Sequence, residues 1–153
     1  MADRSALKNK LQYHRLIMIG IILTAIWTTY EFTSGNRNYK NGMPKIEGEH
    51  INGKDEGTWT WYYENGAKQM QGSFLNGKRT GVWTIWSATG VKLNESIYEN
   101  DKLNGKYTHW QPHGKIESEG YYVNDKLNGT VTYYNNEGSV KEKKNYSEGI
   151  EVK

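Results

Sequence analysis

Residues 57–80 read GTWTWYYENGAKQMQGSFLNGKRT, and the chain beyond them repeats that pattern. The unit restarts at Gly81, Gly105 and Gly129, a fixed step of 24 residues. Two positions after each of these glycines comes a large side chain: Trp59, Trp83, Tyr107, Val131. Three after it comes Thr60, Thr84, Thr108 or Thr132, and five after it comes Tyr62, Trp86, Trp110 or Tyr134. Further columns run through Gly66, Gly90, Gly114 and Gly138, and through Phe74, Tyr98, Tyr122 and Tyr146. A constant period of this size is the signature of a repeat architecture, in which each unit buries its apolar surface against its neighbours.

The physics of one unit is that of a β-hairpin. Thr58 to Tyr63 is all threonine and aromatic, residue types that suit a pleated, half-buried surface. Glu64-Asn65-Gly66 reads as a turn, because asparagine and glycine tolerate positive φ. Lys68 to Leu75 is the second strand, and Asn76-Gly77-Lys78 turns the chain into the next unit. We place Trp59 opposite Gly72, Trp83 opposite Ser96 and Tyr107 opposite Gly120, so that a small residue leaves room for a ring. The fold class is therefore all-β: a tandem-hairpin sheet or solenoid with a partial unit at 38–56, full units at 57–80, 81–104 and 105–128, and a terminal unit at 129–153. The charged run Lys141-Glu142-Lys143-Lys144 in that last unit reads as a cap against edge-to-edge pairing.

Composition agrees with a thin sheet. Only 35% of the 153 residues are hydrophobic, yet 13% are aromatic. No cysteine is present, which removes disulfides and thiolate metal sites. The net charge of +3 lies wholly in residues 1–15, where Arg4, Lys8, Lys10 and Arg15 outweigh Asp3. The remaining 138 residues balance, so no nucleic-acid partner is expected.

Ahead of the repeats, Leu16 to Tyr30 runs fifteen residues without a charge. As a helix it would span roughly 22 Å, short of a ~30 Å hydrocarbon core. Snorkelling by Arg15 and interfacial seating of Trp27, Tyr30 and Phe32 would extend it. A cleaved signal peptide and a buried core helix are the other readings; no small-residue cleavage site follows the run. The expectation is a basic tail over 1–15, an uncleaved transmembrane signal-anchor over 16–30 and a linker over 31–37. The basic excess before the span is slight, and a short N-terminal tail ahead of a single span favours an inside N-terminus, with the repeats expected outside the cytoplasm, in the periplasm or at the cell surface.

Motifs for chemistry are weak. Residues 48–55 and 72–79 both fit GxxxxGK, but neither carries the Ser or Thr that would hold magnesium, and the repeat period explains both. His109 and His113 are four apart, on an expected strand and in the turn after it, so they do not form a metal pair. No nucleophile, base or paired carboxylates stand out. The expectation is no enzyme, no catalytic residue, no cofactor, no metal and no small-molecule substrate.

Two surface features are candidates for binding. Alternation in the first strand of each unit puts Trp59, Trp83, Tyr107 and Val131 on one face, with Trp61, Ile85, His109 and Tyr133 two residues further on. That face is the more apolar and is assigned to the interior. The other face carries the threonine column and the stripe Tyr62, Trp86, Trp110 and Tyr134, framed by Gln71, Glu95 and Glu119; it resembles an interface core with a polar rim. The second feature is a basic edge: Lys54, Lys78, Lys102 and Lys126.

The unit G-x-[W/Y]-T-x-[W/Y]-x-x-x-G…N-[G/D]-K resembles the MORN repeat, and most closely the variant found in tandem in bacterial proteins, some labelled antitoxins. The resemblance covers about Asn38 to Lys153. The mid-unit glycine stands at Gly48, Gly72 and Gly120 and becomes Ser96 and Lys144 elsewhere. The resemblance implies a non-catalytic repeat module that holds proteins together or near membranes. Combined with the anchor, the expected function is a protein-protein interaction scaffold at the cell envelope. The alternatives are an antitoxin-like protein that neutralises a partner toxin, and a cell-wall or glycan binding module.

Overall fold

The computed structural model describes residues 37–152. The tail 1–15, the expected anchor 16–30 and the linker as far as residue 36 lie outside the described residues. Among the described residues, no helix is long and apolar enough to cross a membrane.

Eleven strands follow one another: β1 (Ile46–Ile51), β2 (Lys54–Tyr62), β3 (Lys68–Leu75), β4 (Lys78–Trp86), β5 (Lys92–Glu99), β6 (Lys102–Trp110), β7 (Ile116–Val123), β8 (Lys126–Leu127), β9 (Gly129–Tyr134), β10 (Val140–Ser147) and β11 (Ile150–Val152). They form one antiparallel sheet in sequence order, with the short β8 paired to β7 beside β9. Apart from β8 and β9, which both pair with β7, consecutive strands pair with one another, as tandem hairpins require. The partial first unit adds an isolated bridge between Asn38 and Pro44 and a turn in which the Gly42 amide donates to the Tyr39 carbonyl.

The register is the expected one. Trp59 faces Gly72, Trp83 faces Ser96 and Tyr107 faces Gly120. The Trp59 and Trp83 rings, however, lie across the preceding strand, whereas the Tyr107 ring lies against its own partner, 3.0 Å from where a Cβ on Gly120 would sit. A Cβ on Gly48 would fall 2.1 Å from the Trp59 ring, and one on Gly72 would fall 2.1 Å from the Trp83 ring. Gly48 and Gly72 are thus seats for the next unit's indole, and a Cβ on Gly120 would fall 2.9 Å from Val131 of the next unit. Successive units are joined by packing as well as by backbone hydrogen bonds.

The unit-opening glycines have a different cause. Gly57 and Gly81 adopt φ of +68° and +67°, and a Cβ there would meet nothing. The constraint is conformational: at these positions the pairing of one hairpin with the next shifts register, and left-handed backbone suits glycine.

The rings form two runs of contacts along one face. Phe74 meets Trp59 at 5.9 Å and Trp83 at 5.0 Å, both edge-to-face. Trp83 meets Tyr98 at 5.9 Å, and Tyr107 meets Tyr122 at 5.0 Å. Edge-to-face pairs contribute about 0.5–1.5 kcal/mol each beyond the area they bury. Trp59 and Val131 are the most deeply buried large side chains, at 1% and 0% exposure.

The two ends of the hairpins turn differently. At the lysine edge, Asn76-Gly77 and its equivalents occupy left-handed backbone at both residues, as a two-residue hairpin turn requires. At the opposite end, Gly66 has φ of +81° but Asn65 does not share that conformation. Asn65 acts instead through its side chain. Its Oδ1 accepts from the Ala67 amide and its Nδ2 donates to the Ala88 carbonyl of the next unit, at 3.0 and 2.9 Å.

Candidate functional site

The face opposite the ring row brings together the candidate stripe. Thr60, Thr84 and Thr108 are buried, and Tyr62, Trp86, Trp110 and Tyr134 are half-buried beside them. Each threonine lies between two polar residues: Thr60 pairs with Glu47 and Gln71, Thr84 with Gln71 and Glu95, and Thr108 with Glu95 and Glu119. Gln71 Nε2 donates to Thr60 Oγ1 at 2.9 Å, and Thr84 Oγ1 donates to Glu95 Oε2 at 3.4 Å.

Each ring of the stripe is held by a polar group from the strand before it, and the chemistry follows the ring type. Tyr62 donates its hydroxyl to Glu47 at 2.6 Å, and Tyr134 donates to Glu119 at 2.6 Å. Trp86 has Lys68 Nζ over its face at 6.0 Å, and Trp110 has Lys92 Nζ at 5.4 Å. Lys92 also pairs with Glu95 at 2.7 Å, and Lys106 with Glu119 at 2.8 Å. The hydrogen bonds from Lys106 and Tyr134 hold the Glu119 carboxyl below the usual carboxylate range. The same contact with Glu119 raises the Tyr134 phenol. Sequence reasoning missed Lys68 and Lys92. Their signal was a fixed offset, each lying 18 residues before its tryptophan, as each glutamate lies 15 before its tyrosine.

Lys68 and Lys92 reach this face because a bulge shifts register where Trp61 gives way to Tyr62 and where Ile85 gives way to Trp86. The extra residue in the second strand re-aims the lysine. Period-2 alternation alone would have put it on the ring-row face.

The lysine edge is assembled as expected, and all four lysines are exposed. It is not purely basic. Lys126 pairs with Glu148 at 2.9 Å, and Arg79 pairs with Asp101 at 3.1 Å while stacking 4.3 Å over Tyr98. Asp125 also stands at this edge, its Oδ1 accepting from the Leu103 amide at 2.8 Å.

His109 lies on β6 in the ring row, 8% exposed and 4.9 Å from Tyr107, while His113 is in the turn that follows. Burial pushes the His109 pKa down to about 4, so the ring is neutral at physiological pH. Among the described residues, no group of three His, Asp or Glu side chains is placed to hold a metal. The two GxxxxGK segments are strand, hairpin turn and strand, with no helix after the lysine.

Three stretches of the chain match the MORN repeat variant: residues 55–76, 103–124 and 127–148. Together they cover less than half of the 153 residues. The unit from Gly81 lies between the first two and is not matched, yet its hairpin has the same register, with Trp83 facing Ser96. None of the curated proteins compared with the chain matches it.

Proposed function

We propose that this is a non-catalytic MORN-repeat scaffold that binds another protein through the face carrying Tyr62, Trp86, Trp110 and Tyr134. The observation that carries this reading is the stripe of half-buried rings with a hydrogen-bonded Thr, Glu and Lys frame. Large amphipathic rings in a polar rim are the side chains that dominate protein interfaces. MORN repeats are commonly interaction modules, which supports the same reading. The lysines over Trp86 and Trp110 favour a protein partner over a sugar chain, because stacking a sugar needs a bare ring face. The basic edge is secondary, since Lys126 is already paired with Glu148 and the carboxylates of Asp101 and Asp125 stand at the same edge.

The scaffold would be held at the envelope by residues 16–30, with the repeats outside the cytoplasm. N-terminal sequencing of membrane fractions tests that part. A mature chain starting near Thr33 and recovered as a soluble protein would overturn it.

The binding face is tested on the full chain in detergent by pull-down beside thermal melting. Trp86→Ala with Trp110→Ala should abolish capture of the partner and leave melting within a few degrees of the parent. Trp83→Lys should unfold the repeats, because it buries an unpaired charge on the other face. Equal capture by the double variant, or melting as damaged as in Trp83→Lys, would reject the stripe as the binding face.

A further inference from the structure

The chain contains six Asn-Gly pairs, at Asn41, Asn52, Asn65, Asn76, Asn104 and Asn128. Asn-Gly is the dipeptide most open to spontaneous deamidation, because glycine presents no side chain to hinder attack by its own backbone nitrogen. The structure treats the six unequally, and we propose that Asn52 is the deamidation site of the folded protein.

The comparison that isolates the cause is Asn52-Gly53 against Asn76-Gly77. Both are followed by lysine and both sit in the same two-residue turn, with φ of 52° and 75° in one and 54° and 80° in the other. The Gly77 amide donates to the Asp55 carbonyl of the previous turn at 2.9 Å, and the Asn76 amide donates to Glu56 at 2.7 Å. Among the described residues, no group accepts from the Gly53 amide and none holds the Asn52 side chain. Both residues are exposed.

The other four pairs each carry a restraint as well. Gly42 and Gly66 donate their amides to the Tyr39 and Tyr63 carbonyls, and the Asn41 and Asn65 side chains each donate to a carbonyl and accept from an amide. Asn104 donates its side chain to Glu99 within a strand. Asn128 is half-buried, and its own backbone N–H donates to the Tyr121 carbonyl, which fixes the residue ahead of its glycine. A glycine amide held by a carbonyl cannot easily lose its proton, and an asparagine amide held in place cannot rotate towards it.

The reaction needs only water. The Gly53 nitrogen loses its proton to base and attacks Asn52 Cγ. The N–Cγ bond forms, the Cγ–Nδ2 bond breaks, and Nδ2 takes up a proton and leaves as ammonia. Water then adds to either carbonyl of the resulting cyclic imide and opens it to aspartate or isoaspartate. Either product places a new carboxylate beside Lys54, and isoaspartate adds one carbon to the backbone of a turn that has no slack.

The test is timed peptide mapping by mass spectrometry of the full chain, folded in detergent and, in parallel, unfolded in denaturant, with isoaspartate detected by methyltransferase labelling. In the unfolded chain the six pairs should react at similar rates. In the folded chain Asn52 should keep a rate within about threefold of its unfolded value, while Asn76 slows by about tenfold or more, as protected backbone groups do. Asn52→Gln should remove the fast product and leave the other five rates unchanged. Equal protection of Asn52 and Asn76, or a faster site elsewhere, would overturn the proposal.

Discussion

Replacing Gly72 with alanine would put a methyl group where the Trp83 ring already lies, 2.1 Å from its nearest atom. The expected loss is about 1–3 kcal/mol, the usual cost of overpacking. The protein supplies its own compensation one unit on, where Ser96 occupies the glycine column and the ring on the next strand is Tyr107. Gly72→Ser should therefore be rescued in part by Trp83→Tyr, with a coupling energy above about 0.5 kcal/mol in a double-mutant cycle read by denaturant melting. Gly57→Ala should also destabilise, but no ring substitution should rescue it, because its φ of +68° is the cause and a Cβ there has open space. His109 supplies a different signal. Burial holds its folded pKa near 4 against an ordinary value of 6.5, so the unfolded chain binds the extra proton. That stability is complete above the ordinary histidine range and is lost as pH falls from 6.5 towards 4. At pH 5 the loss through this ring is on the order of 2 kcal/mol. His109→Ile, which copies Ile85 of the previous unit, should flatten the fall in melting temperature between pH 7 and pH 5; an unchanged fall would mean the ring carries none of it.

At the scale of the strand and turn, the hairpins and their register were legible because three independent signals agreed. Period-2 alternation, turn residues at fixed places and the 24-residue repeat all gave Trp59 opposite Gly72. The direction in which the ring leans was not legible, since a small residue opposite a ring makes room for either neighbour. The role of Asn65 was misread for a related reason. Asparagine serves a turn either through left-handed backbone or through its side-chain amide, and composition does not separate the two. The candidate stripe came from alternation alone, so its four rings were found. The lysines above two of them were not, because bulges near the strand ends break that alternation. The last unit is the least regular: β10 is mostly exposed, and β11 follows it, with Lys144 donating to Glu151 at 3.1 Å.

For the repeat domain as a whole, stability should be close to a sum over units and the contacts between neighbours. Deleting residues 81–104 joins Thr80 to Gly105, conserves the period and seats Tyr107 on Gly72. That protein should keep a β-type circular dichroism spectrum and melt several degrees lower. Deleting residues 81–103 leaves one residue too many in a strand and reverses which face its side chains take. It should lose cooperative melting, and equal behaviour of the two deletions would contradict a strict repeat. The row of indoles on the buried face also gives the molecule an optical property. Trp61 lies 6.0 Å from Trp59 and 5.8 Å from Trp83, tilted by 34° and 41°. Chromophores this close and mutually inclined share their excited states, so the folded chain should show an exciton couplet in far-ultraviolet dichroism. Its amplitude would track the docking of one hairpin onto the next, separately from the strand signal.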